Sequence, residues 1–398
     1  MESWMVSARE NIRDQDRIRL IIQQRSLAKY RLPVYQHLAR RPGIDLTLVY
    51  AQNPGVPNVP AEGFAARCER MWHVPMPGRR VFWHSAQWRC ATARSCDVLM
   101  LDGSLQHAAL VPSLLRARRQ GVPTILWTHG YSKHDAGWRH RLRFAVARLA
   151  GAMLLYNHDT ARHYVEMGFA PDRVFVALNS LDQAPVRAAV SDWRRRPAEL
   201  SQFAARHELA AGPVVLFVSR LEAANGVDLL LKAGSLLLPS FATLQLVIIG
   251  KGPDEPRLRS MVASLGLEGH VQMPGPIYDE MKLAPWFMNA DLFCYPQNIG
   301  LSLLHAFGYG LPVVTCDRVE AHNPEIEALR HNENGLLYAY GDAEALAAAL
   351  RRLLVEVPLR QSMSQKAEAT VREQFTVEQM VDGMEAAVRY CYRERGKA

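Results

Sequence analysis

The sequence of 398 residues has no apolar run that reaches the roughly 18 residues needed to span a membrane as a helix. Its first residues, MESWMVSARENIRDQDR, carry too many charges for a secretory signal peptide. Cysteine is scarce as well, because the six cysteines form no CxxC pair and no dense framework. These absences favour a protein of the reducing cytosol whose cysteines are buried in the core.

The first half of the chain has too few acidic residues to balance its basic residues. Residues 1–200 hold 29 Lys and Arg against 16 Asp and Glu, whereas residues 201–398 hold 18 against 23. A basic surplus attracts anionic lipid headgroups, phosphorylated substrates or nucleic acid, or it only keeps the surface soluble. The basic half has no interleaved aromatic residues on a recognisable nucleic-acid module, which makes nucleic acid the poorest of these partners.

One basic segment mixes arginine with apolar residues. GWRHRLRFAVARLAG (137–151) places Arg139 and Arg143 near Leu142 and Phe144. This pattern is typical of a helix that lies on an anionic membrane surface, and equally of a core helix with one wet face. We therefore expect a cytoplasmic protein, peripheral at the inner face of the cell membrane, with an anionic membrane surface among its partners.

Short apolar runs alternate with helical patterns along the chain, which predicts an α/β fold with parallel sheets. The predicted strands are IRLIIQQ, IDLTLVYA, CDVLMLDG, TILWTHG, AMLLYN and RVFVALN in the first half, and VVLFVSR, LQLVIIG, HVQMPG, ADLFCYP and PVVTC in the second. We predict two Rossmann-like doubly wound domains that face each other across a cleft. The predicted bounds are a first domain at 1–195, a linker at 196–212, a second domain at 213–372 and a C-terminal helix at 373–398.

Polar and glycine residues follow three strands of the second half, at the edge where such sheets bind ligands. After ADLFCYP, Gly300 precedes a helix whose first N–H groups form an anion site. After VVLFVS comes Arg220, a forked donor for phosphate, and after LVIIG comes Lys251 in a glycine turn. Each signal alone is weak, since surface ion pairs and glycine turns are common. Together they indicate a phosphate-bearing ligand.

Segments of the second half resemble those of a known protein family. The segments FVSRLEAANGVDLLLKA, LVIIGKGPDEPRLRSMVASLGLEGHVQMPG, IGLSLLHAFGYGLPVVT and NPEIEALRHNENGLLYAYGDAEALAAALRRLL resemble the nucleotide-binding domain of retaining GT-B glycosyltransferases, especially glycosyltransferase family 4 (glycosyl transferases group 1). The resemblance is close over residues 214–355 and looser over the first half, through segments such as WTHGYSK. It implies the GT-B fold, with an acceptor-binding domain at 1–195 and a nucleotide-sugar-binding domain at 213–372. It also implies a UDP- or GDP-linked sugar donor and no other cofactor.

The resemblance assigns roles to individual residues. It puts His129, which follows a first-domain strand, beside the reacting end of the donor sugar, although a structural hydrogen bond is an equally good reading of a lone histidine. Together with Arg220 and Gln297, His129 makes up the predicted catalytic set. The predicted donor-binding set is Arg220, Asn225, Lys251, Gly252, Gly275, Ile277, Gln297, Asn298, Ile299, Gly300, Leu301, His305 and Glu325.

Three positions depart from the family pattern. Two family glutamates fall on Gln297 and His305, and the lysine that clamps the donor diphosphate falls on Asn225. Gln297 keeps a carbonyl acceptor and gains an amide donor, so it can still orient sugar hydroxyls. His305 has two readings, a contact to the nucleotide ribose or packing on the apolar stripe of its helix.

Other residues can supply the groups that these three positions lack. Lys251, or Lys29 or Arg31 from the first domain, can supply the missing cation. The segment QQRSLAKYRLP stands where the family has a glycine-rich loop. Glu325 fixes the phosphate-side loop, supports Arg220, or is only an acid that favours a helix start.

The resemblance therefore implies a retaining, metal-independent hexosyltransferase of cell-surface polysaccharide or glycolipid synthesis. It would move a sugar from a nucleotide diphosphate to a glycan or lipid-linked acceptor. Two alternatives stay open, a weak or inactive relative that binds a nucleotide or glycan, and a sugar-nucleotide epimerase of the same fold. No metal-ligand cluster stands out, so we expect no essential divalent ion.

Overall fold

The computed structural model describes residues 17–52, 57–76, 80–130 and 137–395, the side chains of 137–140 excepted. The chain divides into two compact units. Unit 1 holds the residues up to Leu178 together with those from Val377, and unit 2 holds Asn179–Thr376. No helix within the described residues is long and apolar enough to cross a membrane.

Unit 1 contains nine strands and six helices among its described residues. The strands are β1 (Ile18–Gln23), β2 (Ile44–Tyr50), β3 (Ala65–Cys68), β4 (Met71–Val74), β5 (Val81–His84), β6 (Val98–Asp102), β7 (Thr124–Thr128), β8 (Ala152–Leu155) and β9 (Val174–Val176). The helices are α1 (Leu32–Ala39), α2 (Ser85–Cys90), α3 (Leu110–Arg119), α4 (Gly137–Ala147), α5 (His158–Glu166) and, at the end of the chain, α14 (Val377–Arg393). Short 3-10 helices lie at Lys29–Arg31 and Pro171–Arg173.

Seven of these strands form one parallel sheet in the order β3-β2-β1-β6-β7-β8-β9, and β4 and β5 form a separate antiparallel hairpin. Alternate residues of β1 belong to different cores, since Leu20 and Ile22 lie in one buried cluster and Ile21 in another. A strand that is buried on both faces has a continuous apolar sequence, as IRLIIQQ has. The six strands predicted for the first half are confirmed, whereas β3 and the hairpin were not predicted.

The terminal helix α14 packs on the sheet of unit 1. Its residues Met380, Met384 and Val388 are fully buried in the same cluster as Leu20 of β1. The segment 373–398 was predicted as a helix beyond the second domain. The helix is confirmed, and it belongs to unit 1, because the apolar face of α14 completes the core of that unit.

We expect Gly383→Ala to destabilise unit 1. A Cβ atom at Gly383 would lie 2.0 Å from the carbonyl oxygen of Val176 in β9, so the helix must move away from the sheet. Overpacking of this kind costs about 1–3 kcal/mol. In an unobstructed helix the same change stabilises by roughly 1 kcal/mol. A melting curve decides between the two, and an unchanged or raised melting temperature would mean that α14 does not rest on β9.

Unit 2 contains six strands and eight helices. The strands are β10 (Val214–Val218), β11 (Gln245–Ile249), β12 (Val271–Gly275), β13 (Leu292–Cys294), β14 (Val313–Cys316) and β15 (Gly335–Tyr338). The helices are α6 (Ala184–Arg194), α7 (Pro197–Arg206), α8 (Val227–Leu237), α9 (Glu255–Ser264), α10 (Glu280–Met288), α11 (Leu301–Gly308), α12 (Ala343–Val355) and α13 (Val357–Glu373). Short 3-10 helices lie at Ala223–Asn225, Val319–Ala321 and Pro324–Ala328.

The segment 196–212, predicted as a linker, is part of unit 2. It contains α7, whose Phe203 ring lies 5.0 Å from the Trp286 ring of α10. The preceding helix, α6, is held to α10 as well, because Trp193 Nε1 donates a hydrogen bond to the Met281 carbonyl at 2.8 Å. The boundary therefore falls before α6, since both helices pack aromatic residues against α10.

Each sheet has one point at which its strand order reverses. In unit 1 this switch point lies between β1 and β6, and in unit 2, whose order is β12-β11-β10-β13-β14-β15, it lies between β10 and β13. Open parallel sheets bind their ligands outside the carboxyl ends of the strands at such points. The five strands predicted for the second half are confirmed, and β15 was not predicted.

Candidate functional site

A glycine turn after β11 lies against the end of β10 in unit 2. A Cβ atom at Gly250, whose φ is +152°, would lie 1.8 Å from the Ser219 carbonyl oxygen, and one at Gly252 would lie 2.1 Å from that of Leu221. The Leu221 N–H donates to the carbonyl of Lys251 at 3.0 Å. Only glycine permits this approach. It brings Lys251 to the same sheet edge as the residue that follows Ser219, which is Arg220.

Arg220 presents its guanidinium to solvent at this edge. Its side chain is 62% exposed and pairs with Glu222 through Nη1 and Oε1 at 3.1 Å. An exposed ion pair of this kind contributes little to stability. A doubly charged phosphate can therefore displace the Glu222 carboxylate at small cost. Lys251 is exposed, and no ion pair is recorded for it within the described residues.

Asn225 is buried at the switch point and fixes the backbone around it. Its Nδ2 donates to the Arg220 carbonyl at 2.6 Å, and its Oδ1 accepts from Asn298 Nδ2 at 2.9 Å. Its own carbonyl accepts the Gln297 N–H at 3.2 Å. Asn225 thus ties the segment after β10 to the segment after β13. The structure brings the residue into the site, but its side chain is used inside the protein.

The N-terminus of α11 opens at the same edge. The preceding loop is held by Asn323, whose Nδ2 donates to the carbonyls of Asn298 and Ile299 at 3.3 and 3.1 Å. A Cβ atom at Gly300 would lie 2.9 Å from that same Nδ2. The first-turn amides of a helix attract anions, so Gly300 and Leu301 present N–H groups where a phosphate fits. Ile299 itself is fully buried and packs in the core.

Gln297 lies beside Asn225 and is half-buried. Its Cγ would lie 3.2 Å from a Cβ atom at Gly226, a residue with φ of +69° that immediately precedes α8. No hydrogen bond of the Gln297 amide group is recorded among the described residues. The amide is therefore available to a ligand, with both a donor and an acceptor.

His305 faces α10 across the surface of α11. Its Nε2 lies 2.9 Å from Oε1 of Glu280, and the Tyr309 hydroxyl donates to the same oxygen at 2.5 Å. The imidazole also contacts the Phe287 ring, with centroids 4.8 Å apart. Burial, together with the bond to Glu280, raises the pKa of Tyr309 above its usual range. His305 is therefore anchored by the carboxylate of Glu280. The prediction that His305 packs on the apolar stripe of its helix did not include this contact.

Glu325 is buried in the 3-10 helix Pro324–Ala328. Its Oε1 accepts a hydrogen bond from Nδ2 of Asn179, the first residue of unit 2. The contact recorded for Arg220 is with Glu222, and none joins Arg220 to Glu325 within the described residues. Of the three roles expected for Glu325, holding a loop fits these contacts, because its bond to Asn179 holds the segment that leads into α6.

The remaining donor-site candidates lie at the end of β12 and just after it. Gly275, with φ of +87°, accepts the Gly250 N–H through its carbonyl at 3.1 Å. Its position joins the end of β12 to the glycine turn after β11. Ile277 lies two residues further on and is half-buried.

His129 follows β7 in unit 1 and its side chain is exposed. The imidazole contacts the ring of Tyr156 in a tilted arrangement, with centroids 4.6 Å apart. The guanidinium of Arg31 lies 5.1 Å from the centroid of the same tyrosine ring and 5.0 Å from that of Trp127. Because Arg31 is itself buried among these rings, it does not serve as the substitute phosphate clamp that the sequence suggested. Lys29 is exposed.

The sheet edge of unit 2 lies in a segment that matches a known protein family. Residues 212–356 match the model of the family described as glycosyl transferases group 1. This part of unit 2 is therefore similar to that family. The match includes Arg220, Lys251, Gln297 and Glu325, so the sheet edge of unit 2 lies within it.

Two curated relatives extend this finding. The exopolysaccharide phosphotransferase SCO2592 of Streptomyces coelicolor is 34% identical over 160 residues, which cover 39% of this chain and 16% of that protein. The GDP-mannose-dependent alpha-(1-6)-phosphatidylinositol monomannoside mannosyltransferase of Mycobacterium tuberculosis is 27% identical over 282 residues, or 67% of this chain and 69% of that protein. The chain thus spans less than a fifth of the length of the first relative.

The whole chain also resembles solved structures. The crystal structure of Anabaena Alr3699/HepE in complex with UDP-glucose matches with a TM-score of 0.68 and 16% identity, over 94% of this chain and 99% of that one. At this identity the likeness shows the fold. The predicted α/β class and the GT-B fold are confirmed.

The basic segment 137–151 is described in part. Helix α4 buries Phe144 and Val146 in a core cluster of unit 1, whereas Leu142 is 48% exposed. The side chain of Arg139 lies outside the described residues. Phe144 and Val146 therefore pack as expected for a core helix, which was one of the two predictions for this segment.

The sequence predicts that the protein needs no divalent metal ion. Within the described residues, no three His, Cys, Asp or Glu side chains are grouped so that they could hold a metal ion. The sequence contains one Asp-x-Asp, formed by Asp14 and Asp16, which lies outside the described residues. Metal independence stays a prediction.

Proposed function

We propose that the protein is a retaining, metal-independent glycosyltransferase that moves a sugar from a UDP- or GDP-linked donor to a glycan or lipid-linked acceptor. Its setting would be the synthesis of cell-surface polysaccharide or glycolipid at the inner face of the cell membrane. The observation that carries the proposal is the convergence of Arg220, Lys251 and the N-terminus of α11 at the switch point of unit 2. Three groups that favour anions at one strand edge suit a diphosphate.

The proposed chemistry follows from what these groups can do. When the sugar–phosphate bond breaks, negative charge develops on the diphosphate, and preorganised donors lower the barrier by stabilising it. Arg220, Lys251 and the Gly300 amide are the donors available in unit 2. Gln297 would hold the sugar through neutral hydrogen bonds, and His129 would contact its reacting end. No divalent ion takes part in this scheme.

The first test is a thermal-shift screen of UDP-, GDP- and ADP-sugars. A ligand at 100 times its dissociation constant stabilises the folded state by about 2.7 kcal/mol, which raises the melting temperature. Transfer to acceptors, with and without EDTA, follows for any sugar that binds. Binding with neither transfer nor hydrolysis would indicate an inactive relative, and a changed sugar without acceptor would indicate an epimerase. If no sugar nucleotide stabilises the protein, the proposal fails.

We expect His305→Ala to weaken nucleotide binding about fivefold, because one neutral hydrogen bond to the ribose contributes about 1 kcal/mol. Isothermal titration with UDP and GDP measures the loss, and a melting curve reports stability separately. Tyr309→Phe is the matched control, since it removes the other hydrogen bond to Glu280 and leaves the imidazole in place. Lower stability with unchanged affinity would show that His305 only packs α11 against α10.

We also expect the protein to sediment with anionic vesicles and to be released by salt. The surplus of basic residues in the first half, 29 against 16, attracts anionic lipid, and salt screens that attraction. The measurement compares vesicles of phosphatidylcholine alone with vesicles that contain phosphatidylglycerol. Equal binding to both, or none to either, would contradict the proposed membrane surface.

A further inference from the structure

The hairpin of β4 and β5 in unit 1 has one apolar face that is accessible to solvent. Trp72 lies opposite Trp83 in the hairpin, and Val74 lies opposite Val81. Residues directly opposite one another in an antiparallel pair, and residues two apart along a strand, share one face. None of the four residues is buried, and Trp72 is 49% exposed. These four residues define the hairpin face.

The opposite side of the hairpin is anchored to the rest of unit 1. His84, which belongs to that side, is fully buried. The Phe82 N–H donates to the Gln106 carbonyl at 2.8 Å, and the Phe82 carbonyl accepts the Ala108 N–H at 2.8 Å. A two-stranded hairpin is only marginally stable by itself, so these contacts hold it in place. The hairpin face consequently points away from the buried side.

The sequence around the hairpin combines tryptophan with arginine. Residues 67–94 hold three of the eight tryptophans of the chain, and six arginines against one acidic residue, Glu69. Arg70 and Arg80, which flank the two strands, are exposed. Tryptophan is enriched at membrane–water boundaries because its ring is apolar and its N–H is polar. Arginine attracts anionic headgroups. The combination therefore fits the boundary between an anionic lipid layer and water.

The two helices that follow the hairpin show the same combination. Trp88 lies in α2, which begins directly after β5, and is 37% exposed. The guanidinium of Arg116 in α3 lies 4.5 Å from the centroid of the Trp88 ring. Its neighbour Leu115 is exposed, and so are Arg118 and Arg119 in the last turn of α3. Exposed apolar and basic side chains therefore continue from the hairpin into α2 and α3.

We propose that the hairpin face docks on an anionic membrane surface, with Trp72 and Trp83 among the headgroups and the neighbouring arginines against acidic lipids. The affinity of such a surface rises with the apolar area that it buries and with the charge that it attracts. A second copy of this chain fits poorly, because it would bring the same surplus of six arginines to one acid against itself. The choice of a membrane as the partner rests on the proposed function, whereas the assignment of the surface rests on the hairpin.

Helix α4 is the other membrane surface that the sequence suggested, and it supplies the matched control. Phe144 and Val146 of α4 lie in a core cluster, and Leu142 is the large apolar residue that stays exposed among its described side chains. Leu142 is 48% exposed, nearly the same as Trp72. Replacing either residue with serine therefore removes a similarly exposed apolar side chain from unit 1, on the hairpin in one case and on α4 in the other.

The test is sedimentation of the full chain with vesicles of phosphatidylcholine alone and vesicles that also contain phosphatidylglycerol. We expect Trp72→Ser to lower the partition coefficient for the anionic vesicles about tenfold, through lost apolar burial. Arg80→Gln should lower it about fivefold, through one lost charge. Leu142→Ser should bind like the wild type, and so should Arg206→Gln, which removes an exposed arginine of unit 2.

Quenching of tryptophan fluorescence by lipids with brominated acyl chains keeps the test informative if Trp72→Ser does not fold. Trp72→Phe and Trp83→Phe retain an apolar ring, so both proteins should stay on the vesicles. Each should lose part of the quenching that the wild type shows, because the tryptophan that reaches the lipid is gone. Quenching that is unchanged in both variants would mean that the hairpin face does not touch the membrane.

Two other results would refute the docking surface. The first is a loss of vesicle binding in Leu142→Ser but not in Trp72→Ser, which would assign the surface to α4. The second is wild-type binding that is equal on both kinds of vesicle or absent from both.

UDP titration of the same samples separates this inference from the proposed function. UDP should bind Trp72→Ser and Arg80→Gln with wild-type affinity, because the nucleotide is assigned to unit 2. If UDP binds but vesicle binding contradicts the expectation, the docking surface is refuted and the donor site is untouched. If the vesicles bind as expected but neither UDP nor GDP binds, the proposed transferase is refuted and the docking surface stands.

Discussion

Arg220→Ala is expected to lower kcat/KM for sugar transfer roughly tenfold to a hundredfold or more. A charge-assisted hydrogen bond contributes about 1.5–3 kcal/mol, and each 1.36 kcal/mol is a factor of ten in rate. The guanidinium is 62% exposed in the structure and its partner is the exposed Glu222, so the fold does not depend on it. If Arg220 stabilises the leaving diphosphate, the loss appears in kcat and not only in KM.

Two further variants sharpen this prediction. Arg220→Lys should recover part of the activity, because an ammonium cannot make the bidentate fork. Glu222→Gln removes the partner of Arg220 without removing the cation, and should leave transfer unchanged or slightly improved. Near-wild-type transfer by a folded Arg220→Ala protein would show that the diphosphate lies elsewhere. Equal losses in Glu222→Gln and Arg220→Ala would show that the ion pair itself matters.

Strand positions were predictable from the sequence wherever a strand is buried on both faces. The run in β1 is continuous because Leu20 and Ile21 face two different cores, and such a run has few alternative readings. The edge strand β3 carries Arg67 and exposed residues, so it has no such run. The hairpin of β4 and β5 pairs Trp72 with Trp83 outside the main sheet, and its strands of four residues each are too short to show a periodic pattern.

The domain assignment was harder, because it depends on contacts between distant parts of the chain. The apolar face of α14 predicts a helix with one buried side, but the sequence does not say which core accepts it. Gly383 contained the one local clue, since a helix glycine often marks close backbone approach. Likewise the charged segment around α7 was read as a linker, although Phe203 packs on Trp286.

The site shows the same limit at the level of single residues. Arg220 and Lys251 were predictable at the sheet edge because each lies two residues after the end of a strand. The role of Asn225 was not, because its partners, the Arg220 carbonyl and Asn298, are known only from the fold. Glu280 was missed altogether, since its link to His305 joins two helices 25 residues apart in sequence.

His129→Ala is expected to lower kcat roughly a hundredfold or more, with little change in stability. A side chain that aids proton transfer or stabilises charge at the reacting centre contributes about 10²–10⁴ in rate. The imidazole is exposed and contacts the ring of Tyr156, so removing it leaves no cavity in the core. UDP affinity should not change, because His129 belongs to unit 1 and the proposed nucleotide contacts belong to unit 2.

Steady-state kinetics with the donor found in the screen, together with UDP titration, measure these effects. His37→Ala is the matched control, because it removes a partly exposed histidine of α1 in the same unit and should keep wild-type rates. His129→Gln, which retains a hydrogen-bonding side chain but not an imidazole, should recover little if a proton moves and more if only a hydrogen bond is needed. A His129→Ala protein with wild-type kcat would remove His129 from the catalytic set and leave the chemistry to the groups of unit 2.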